Sequence, residues 1–250
     1  MLPLPQLESY AIRTFEIDCN KQLTIPALVR LMQETAMQQV LALNISIWDL
    51  EAYKLGWVLI RKRLDLQRLP ALGEQISIHS YPTGVDRVFT YRDFVVRDAE
   101  GNILATSATT WLLMNTETRQ MSRIPADLLA RFSGYFPAKE LCLTHALDAL
   151  PTLDQPQRER SYLVGWYDLD FINHLNNVHF VKWMLEALPN SVLDQQVLER
   201  MDLLFYAEGN LDDLVHAELQ ELEEGIYLHQ LLREKDGKVM ATAKTKWKRP

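Results

Sequence analysis

The densest chemically capable stretch of the chain is Asp168-Leu169-Asp170-Phe171-Ile172-Asn173-His174-Leu175-Asn176-Asn177. It gathers carboxylates, carboxamides and one imidazole. An imidazole acts as a general base near neutral pH, and a carboxylate beside it can orient it. The stretch runs into a helical pattern, Val178, Val181, Leu185 and Leu188, which Pro189 ends. Asn176 or Asn177 is placed to cap that helix. Its first backbone N–H groups would then face the cluster, where they can polarise a carbonyl or hold an oxyanion. The same residues also suit a capped loop of Asx turns, and the pattern alone leaves both readings open. His179 continues into the helix and reads as an ordinary polar-face residue. His79, His145, His216 and His229 are dispersed, with no HExxH or paired spacing. P-loop, GxGxxG and GxSxG signatures are absent. No metal and no cofactor is therefore expected.

The elements that must position this cluster come from a repeat. Arg97–Trp111 and Arg233–Trp247 align without a gap, sharing Arg, Gly, Ala, Thr, Thr and Trp, with Ile103/Val239 and Leu104/Met240 as near-equivalents. Each copy reads as a strand, a glycine turn and a second strand. In the second copy Val239, Ala241, Ala243, Thr245 and Trp247 share one face, and Thr242, Lys244, Lys246 and Lys248 the other. The first copy has Ala108, Thr110 and Leu112 where the second has lysines, which predicts that something covers its outer face. A long helix precedes each set of strands. In the first half Ile25, Leu28, Met32, Ala36, Val40 and Leu43 recur at helical spacing, with Thr24 as N-cap and Pro26 in the first turn. Strands are predicted over Trp57–Leu66, Gln75–Ser80, Val88–Val96 and Ile103–Met114, then over Met201–Ala207, Asp213–Leu219, Ile226–Arg233 and Val239–Trp247. One helix with about four antiparallel strands, twice, is an α+β arrangement.

Length and composition agree. The 250 residues are 48% hydrophobic and 24% charged, which is ordinary for a globular chain and enough for two cores. A net charge of -7 opposes broad nucleic-acid binding. No apolar run reaches the ~20 residues of a membrane helix, and the first residues lack a signal-peptide pattern. A cytoplasmic location is expected. Cys19 and Cys142 are too far apart in sequence to suggest a disulfide framework. Arg61, Lys62, Arg63 and Arg68 form the densest basic cluster. It reads as the solvated edge of a strand, or as a docking spot for an acidic partner.

Nearly the whole chain resembles the acyl-ACP thioesterases of plants and bacteria. The resemblance rests on Leu31-Met32-Gln33-Glu34-Thr35-Ala36, on Trp111–Asn115 through Ser122-Arg123-Ile124-Pro125, and on Asp168–Val178 followed by Trp183-Met184-Leu185-Glu186 and Pro189. It implies two tandem hotdog domains, each a curved antiparallel sheet wrapped around a long helix. Residues 1–132 would bind the acyl chain, 133–160 would link, and 161–250 would be catalytic. It implies hydrolysis of fatty acyl-ACP to free fatty acid and ACP, in fatty acid biosynthesis. An acyl-CoA thioesterase and a non-catalytic acyl-binding module are the alternatives. Acyl carrier protein is the implied partner, with monomer or homodimer both open. The family's catalytic groups fall on Asp170, His174 and Glu208, and Asn173, Asn176 and Asn177 are the expected substrate-binding residues. Without the resemblance Glu208 reads as a solvated strand-end carboxylate. Two positions depart from the family pattern: its asparagine between aspartate and histidine falls on Ile172, and a cysteine once proposed as nucleophile falls on Gly209.

Overall fold

The computed structural model describes residues 6–145 and 150–249. These divide into two compact units, one of residues 6–23 and 28–145, the other of 24–27 and 150–249.

The first half of the chain runs β1 (Gln6–Ala11), α1 (Ile25–Ala42), α2 (Ile47–Leu50), β2 (Leu55–Leu66), β3 (Gln75–Asp86), β4 (Phe89–Asp98), β5 (Ile103–Asn115), β6 (Met121–Ser122) and α3 (Ala126–Phe132). Its sheet has the order β1-β3-β4-β5-β2, antiparallel throughout, with β6 added to β5. The Thr24 hydroxyl accepts the Ala27 N–H at 3.2 Å, so the expected N-cap forms. Along α1, Thr35 bonds Tyr10 of β1 and Gln39 bonds Arg92 of β4, which identifies the face of the sheet that looks at the helix. Beside it Ile45, Leu50, Leu55, Leu113, Leu128 and Phe132 close a hydrophobic cluster.

The second half runs β7 (Arg158–Leu163), α4 (Asn177–Glu186), α5 (Asn190–Gln195), β8 (Val197–Phe205), β9 (Leu214–Glu223), β10 (Ile226–Arg233) and β11 (Lys238–Lys248). Its strand order, β7-β9-β10-β11-β8, is that of the first half strand for strand. α4 packs on β7, β9 and β10. The sequence repeat is thus a repeat of structure, and its details recur. Trp111 Nε1 donates to Thr109 Oγ1 at 2.9 Å, and Trp247 Nε1 to Thr245 Oγ1 at 3.0 Å. Gly101 and Gly237 both turn with positive φ, 88° and 63°.

The structure extends the sequence reading in several places: β8 begins at Val197 and not Met201, and β9 runs on to Glu223. β3 continues past Ser80 to Asp86 because a register shift at Pro82/Gly84 absorbs the proline. β7 begins at Arg158, inside the segment expected to be connector. It is a mostly exposed edge strand of Arg-Glu-Arg-Ser, so no apolar alternation marks it. β1 is likewise an edge strand that hydropathy does not mark. The expected covering of the first repeat copy is found. Ala108, Thr110 and Leu112 are buried, and connector residues reach that face: Leu143 N–H donates to Asp93, the cross-strand partner of Ala108, and His145 Nε2 lies 2.7 Å from the same carboxylate.

The basic cluster needs correction. Lys62 is buried, and Arg68 is engaged by Glu74 and Asp98. Strand alternation puts Lys62 on the face opposite Arg61 and Arg63, so the run is not one solvated docking patch.

Candidate active site

The cluster before α4 is a loop tied together by its own side chains. The Asp170 carboxylate accepts the backbone N–H groups of Ile172 and His174 at 2.9 and 3.1 Å. Asp170 N–H donates to the His174 carbonyl at 2.7 Å. Asn173 closes the turn with φ 61°, a left-handed conformation that asparagine tolerates well. Asp170 therefore acts on the backbone: it holds the loop in the shape that aims His174. Asp168 works in the same way one step earlier, accepting Gly165 N–H at 2.9 Å.

Asn176 is the N-cap of α4, its side-chain oxygen accepting Val178 N–H at 3.0 Å. That oxygen is thereby committed to the helix. The next amide, Asn177 N–H, has no acceptor among the described residues. It stands at the positive end of the helix, where a carbonyl oxygen bearing developing charge is stabilised.

Glu208 arrives from the segment after β8. His174 Nε2 lies 3.5 Å from Glu208 Oε2, and both side chains are about 30% exposed, so the pair is reachable from solvent. Two contacts fix Glu208 in place. Its carbonyl accepts from Arg233 Nη1 at 2.9 Å. Its neighbour Gly209 gives its carbonyl to Leu175 N–H at 2.8 Å, joining the two segments directly behind the His174–Glu208 pair. Arg233 is itself oriented by Asp236 and Asp213. Burial alone would raise the Asp213 carboxyl, but Lys235, the Asn210 N–H and Arg233 outweigh it and hold it below the usual carboxylate range.

Of the sequence-predicted residues, His174 and Glu208 meet side chain to side chain. Asp170 and Asn173 build the loop, Asn176 caps the helix, and Asn177 opens it. Ile172 takes part through its backbone N–H. Gly209 is more constrained than an open position. A Cβ there would stand 2.8 Å from Leu175 Cβ and 2.9 Å from Met240 Cε, so no side chain, cysteine included, fits without displacing Leu175. His179 is more than a polar-face residue: its Nδ1 lies 3.4 Å from Asp168 Oδ1, and its ring lies 5.9 Å from that of Trp183. The spacing of eleven residues that brings Asp168 and His179 together crosses a loop and a helix turn, and periodicity gives no sign of it.

A doubled unit of one long helix on one face of an antiparallel sheet, with the polar site at a helix start, is the tandem hotdog architecture. The chain belongs to the acyl-ACP thioesterase family: residues 6–132 match the Acyl-ACP thioesterase N-terminal domain, and residues 152–249 the Acyl-ACP thioesterase C-terminal domain. It is 26% identical over 259 aligned positions to a palmitoyl-acyl carrier protein thioesterase, chloroplastic, of Arabidopsis thaliana, covering 96% of this chain and 63% of that protein. An oleoyl-acyl carrier protein thioesterase 2, chloroplastic, of the same plant is 25% identical over 224 positions, covering 83% and 60%. The chain thus spans less than two thirds of the length of these curated relatives. Among solved structures, the 12:0-ACP thioesterase from Umbellularia californica superposes with a TM-score of 0.90 at 22% identity, covering 98% of this chain and 97% of that one. An acyl-ACP thioesterase from Bacteroides thetaiotaomicron gives 0.86 at 20% identity, with 97% of each chain covered.

Proposed function

We propose that the chain hydrolyses fatty acyl-ACP, releasing free fatty acid and the carrier protein, within fatty acid biosynthesis in the cytoplasm. The observation that carries this reading is the His174–Glu208 pair held beside the start of α4. Hydrolysis of a thioester needs a base, a water and an oxyanion site around one carbonyl, and these elements supply all three positions. Asn177 N–H takes the carbonyl oxygen. His174, as a neutral imidazole, donates from Nε2 toward Glu208 and holds that carboxylate against the water. Glu208, which as a carboxylate has several acceptor positions, takes the water proton as hydroxide adds to the carbonyl. The tetrahedral intermediate then expels the carrier thiolate, a good leaving group that needs no strong general acid. Asp170 and Arg233 are positioning residues, acting through the backbone at His174 and at Glu208.

The acyl chain lies in unit 1 in this reading, because the loop before α1 has Asp18, Asn20 and Thr24 but no histidine. Product analysis with a panel of acyl-ACPs, run against the matched acyl-CoAs, is the deciding experiment. Free fatty acid should appear from acyl-ACP, and His174→Ala and Glu208→Gln should each lower kcat by about 10²-fold or more, the scale of a lost general base. Bound acyl chain without turnover would overturn the hydrolase reading. Folded variants with wild-type turnover would overturn the site.

A further inference from the structure

The helix-facing side of the unit 1 sheet carries buried polar groups that the described residues leave wholly or partly unmatched. Lys62 is only 5% exposed, and its ammonium has the Phe94 ring at 5.5 Å as its neighbour. Among the described residues it makes no hydrogen bond and no ion pair. Arg92, also buried, lies on the same face. Its Nη1 donates to Gln39 Oε1 at 2.5 Å and to Ser80 Oγ at 2.6 Å, while no carboxylate pairs with it among the described residues. One position along the same face, Thr90 Oγ1 is buried without a hydrogen-bond partner among the described residues.

The register places these three groups together. Lys62 and Arg92 both pair with Thr109, from opposite sides, so they form a row across β2, β5 and β4. Strands are about 4.8 Å apart, which puts the two backbone positions about 10 Å from each other, within reach of two long side chains turned inward. Thr109 between them is already used: its hydroxyl donates to the Arg92 carbonyl and accepts from Trp111 Nε1. The unmatched capacity is therefore two cations and one hydroxyl. Burial disfavours both charges and pushes Lys62 down to about 8 and Arg92 to about 10. Buried polar groups are almost always paired, so such a set marks a place where a ligand supplies the partners. A plain hydrocarbon chain cannot supply them.

We infer that the helix-facing side of unit 1 selects acyl chains that carry an oxygen function beyond the thioester carbonyl, with a carboxylate the best match to two cations and a hydroxyl. This rests on the reading that the acyl chain lies in unit 1. A site built to bond a polar substituent strongly rejects the analogue that lacks it, because its own groups are then left unpaired.

The test compares kcat/KM of the full chain for octanoyl-ACP, 3-hydroxyoctanoyl-ACP and 7-carboxyheptanoyl-ACP. At least one oxygenated chain should be preferred over octanoyl by about tenfold or more. In the Lys62→Met/Thr90→Val variant, which keeps the volume of both side chains, that preference should disappear, with octanoyl turnover rising. Equal or better use of octanoyl by the wild type overturns the inference, as does a preference that survives in the variant. If no acyl-ACP is hydrolysed, the hydrolase reading fails by itself. Calorimetric binding of octanoate and octanedioate then decides the inference. Octanedioate bound about tenfold tighter, with the advantage lost in the variant, sustains it. Equal binding overturns it.

Discussion

Lys62→Met should stabilise this protein at neutral pH and cease to do so in alkali. Lys62 is buried with no counter-charge among the described residues, and burial lowers its ammonium from 10.5 to about 8. The unfolded chain holds the Lys62 proton up to pH ~10.4, whereas the folded chain releases it near 8. Below pH 8 the folded state carries the full cost of the buried charge. At about 1.4 kcal/mol for each unit of displacement this is about 3 kcal/mol at pH 7. Between pH 8 and 10.5 the unfolded state binds the extra proton, so the folded wild type gains stability as pH rises through this window. Methionine keeps the unbranched stem and removes the charge. Its advantage should be about 3 kcal/mol at pH 7 and about 1 kcal/mol at pH 10. Urea denaturation of wild type and variant at the two pH values measures this. An unchanged midpoint at pH 7 would refute the reasoning, as would an equal gain at both pH values. A buried charge kept at such a cost is what a binding site shows when function opposes stability.

Three further outcomes follow from the second unit. Gly209→Ala should destabilise by about 1–3 kcal/mol, since its Cβ would stand 2.8 Å from Leu175 Cβ; it should also lower kcat by displacing the adjoining His174, and a stable, fully active variant would disprove this. Asp170→Asn keeps one acceptor oxygen for the Ile172 and His174 N–H groups, so it should retain more activity than Asp170→Ala, whereas a role for the negative charge itself would make the two equal. His229 is fully buried, with Nδ1 donating to the Met184 carbonyl and Nε2 accepting from Thr245, and burial pushes its imidazole down to about 4. The unfolded state takes up that proton near 6.5, so stability should fall by up to about 3 kcal/mol as pH drops from 6.5 to 4, and His229→Asn should flatten this part of a chemical-denaturation profile.

What the sequence determined by itself is local or periodic. The two copies of Arg-x-x-x-Gly-x-x-x-Ala-Thr ending in Thr-x-Trp specify a hairpin twice. Period-two alternation shows which face of β11 is wet, the glycines supply turns with positive φ, and each Thr reaches the Trp two residues on. Thr24 and Asn176 mark the starts of α1 and α4 because a cap acts within one helical turn. The site loop is likewise local, since Asp170 bonds residues two and four further on. Tertiary structure alone decided what depends on chain segments far apart. His174 meets Glu208 only because β8 returns its end beside the α4 loop, and the Leu175–Gly209 hydrogen bond that locks this leaves no room for a side chain. Edge strands β1 and β7 take their place from partners β3 and β9, not from any alternation of their own. Lys62 stands between Arg61 and Arg63 in a run that composition reads as solvated. The pleat of β2, paired to β5 in one register, turns it inward, and α1 on that face makes the interior it enters. Charge is a property of the residue, but burial belongs to the neighbours that the fold supplies, and a string of residues does not contain them.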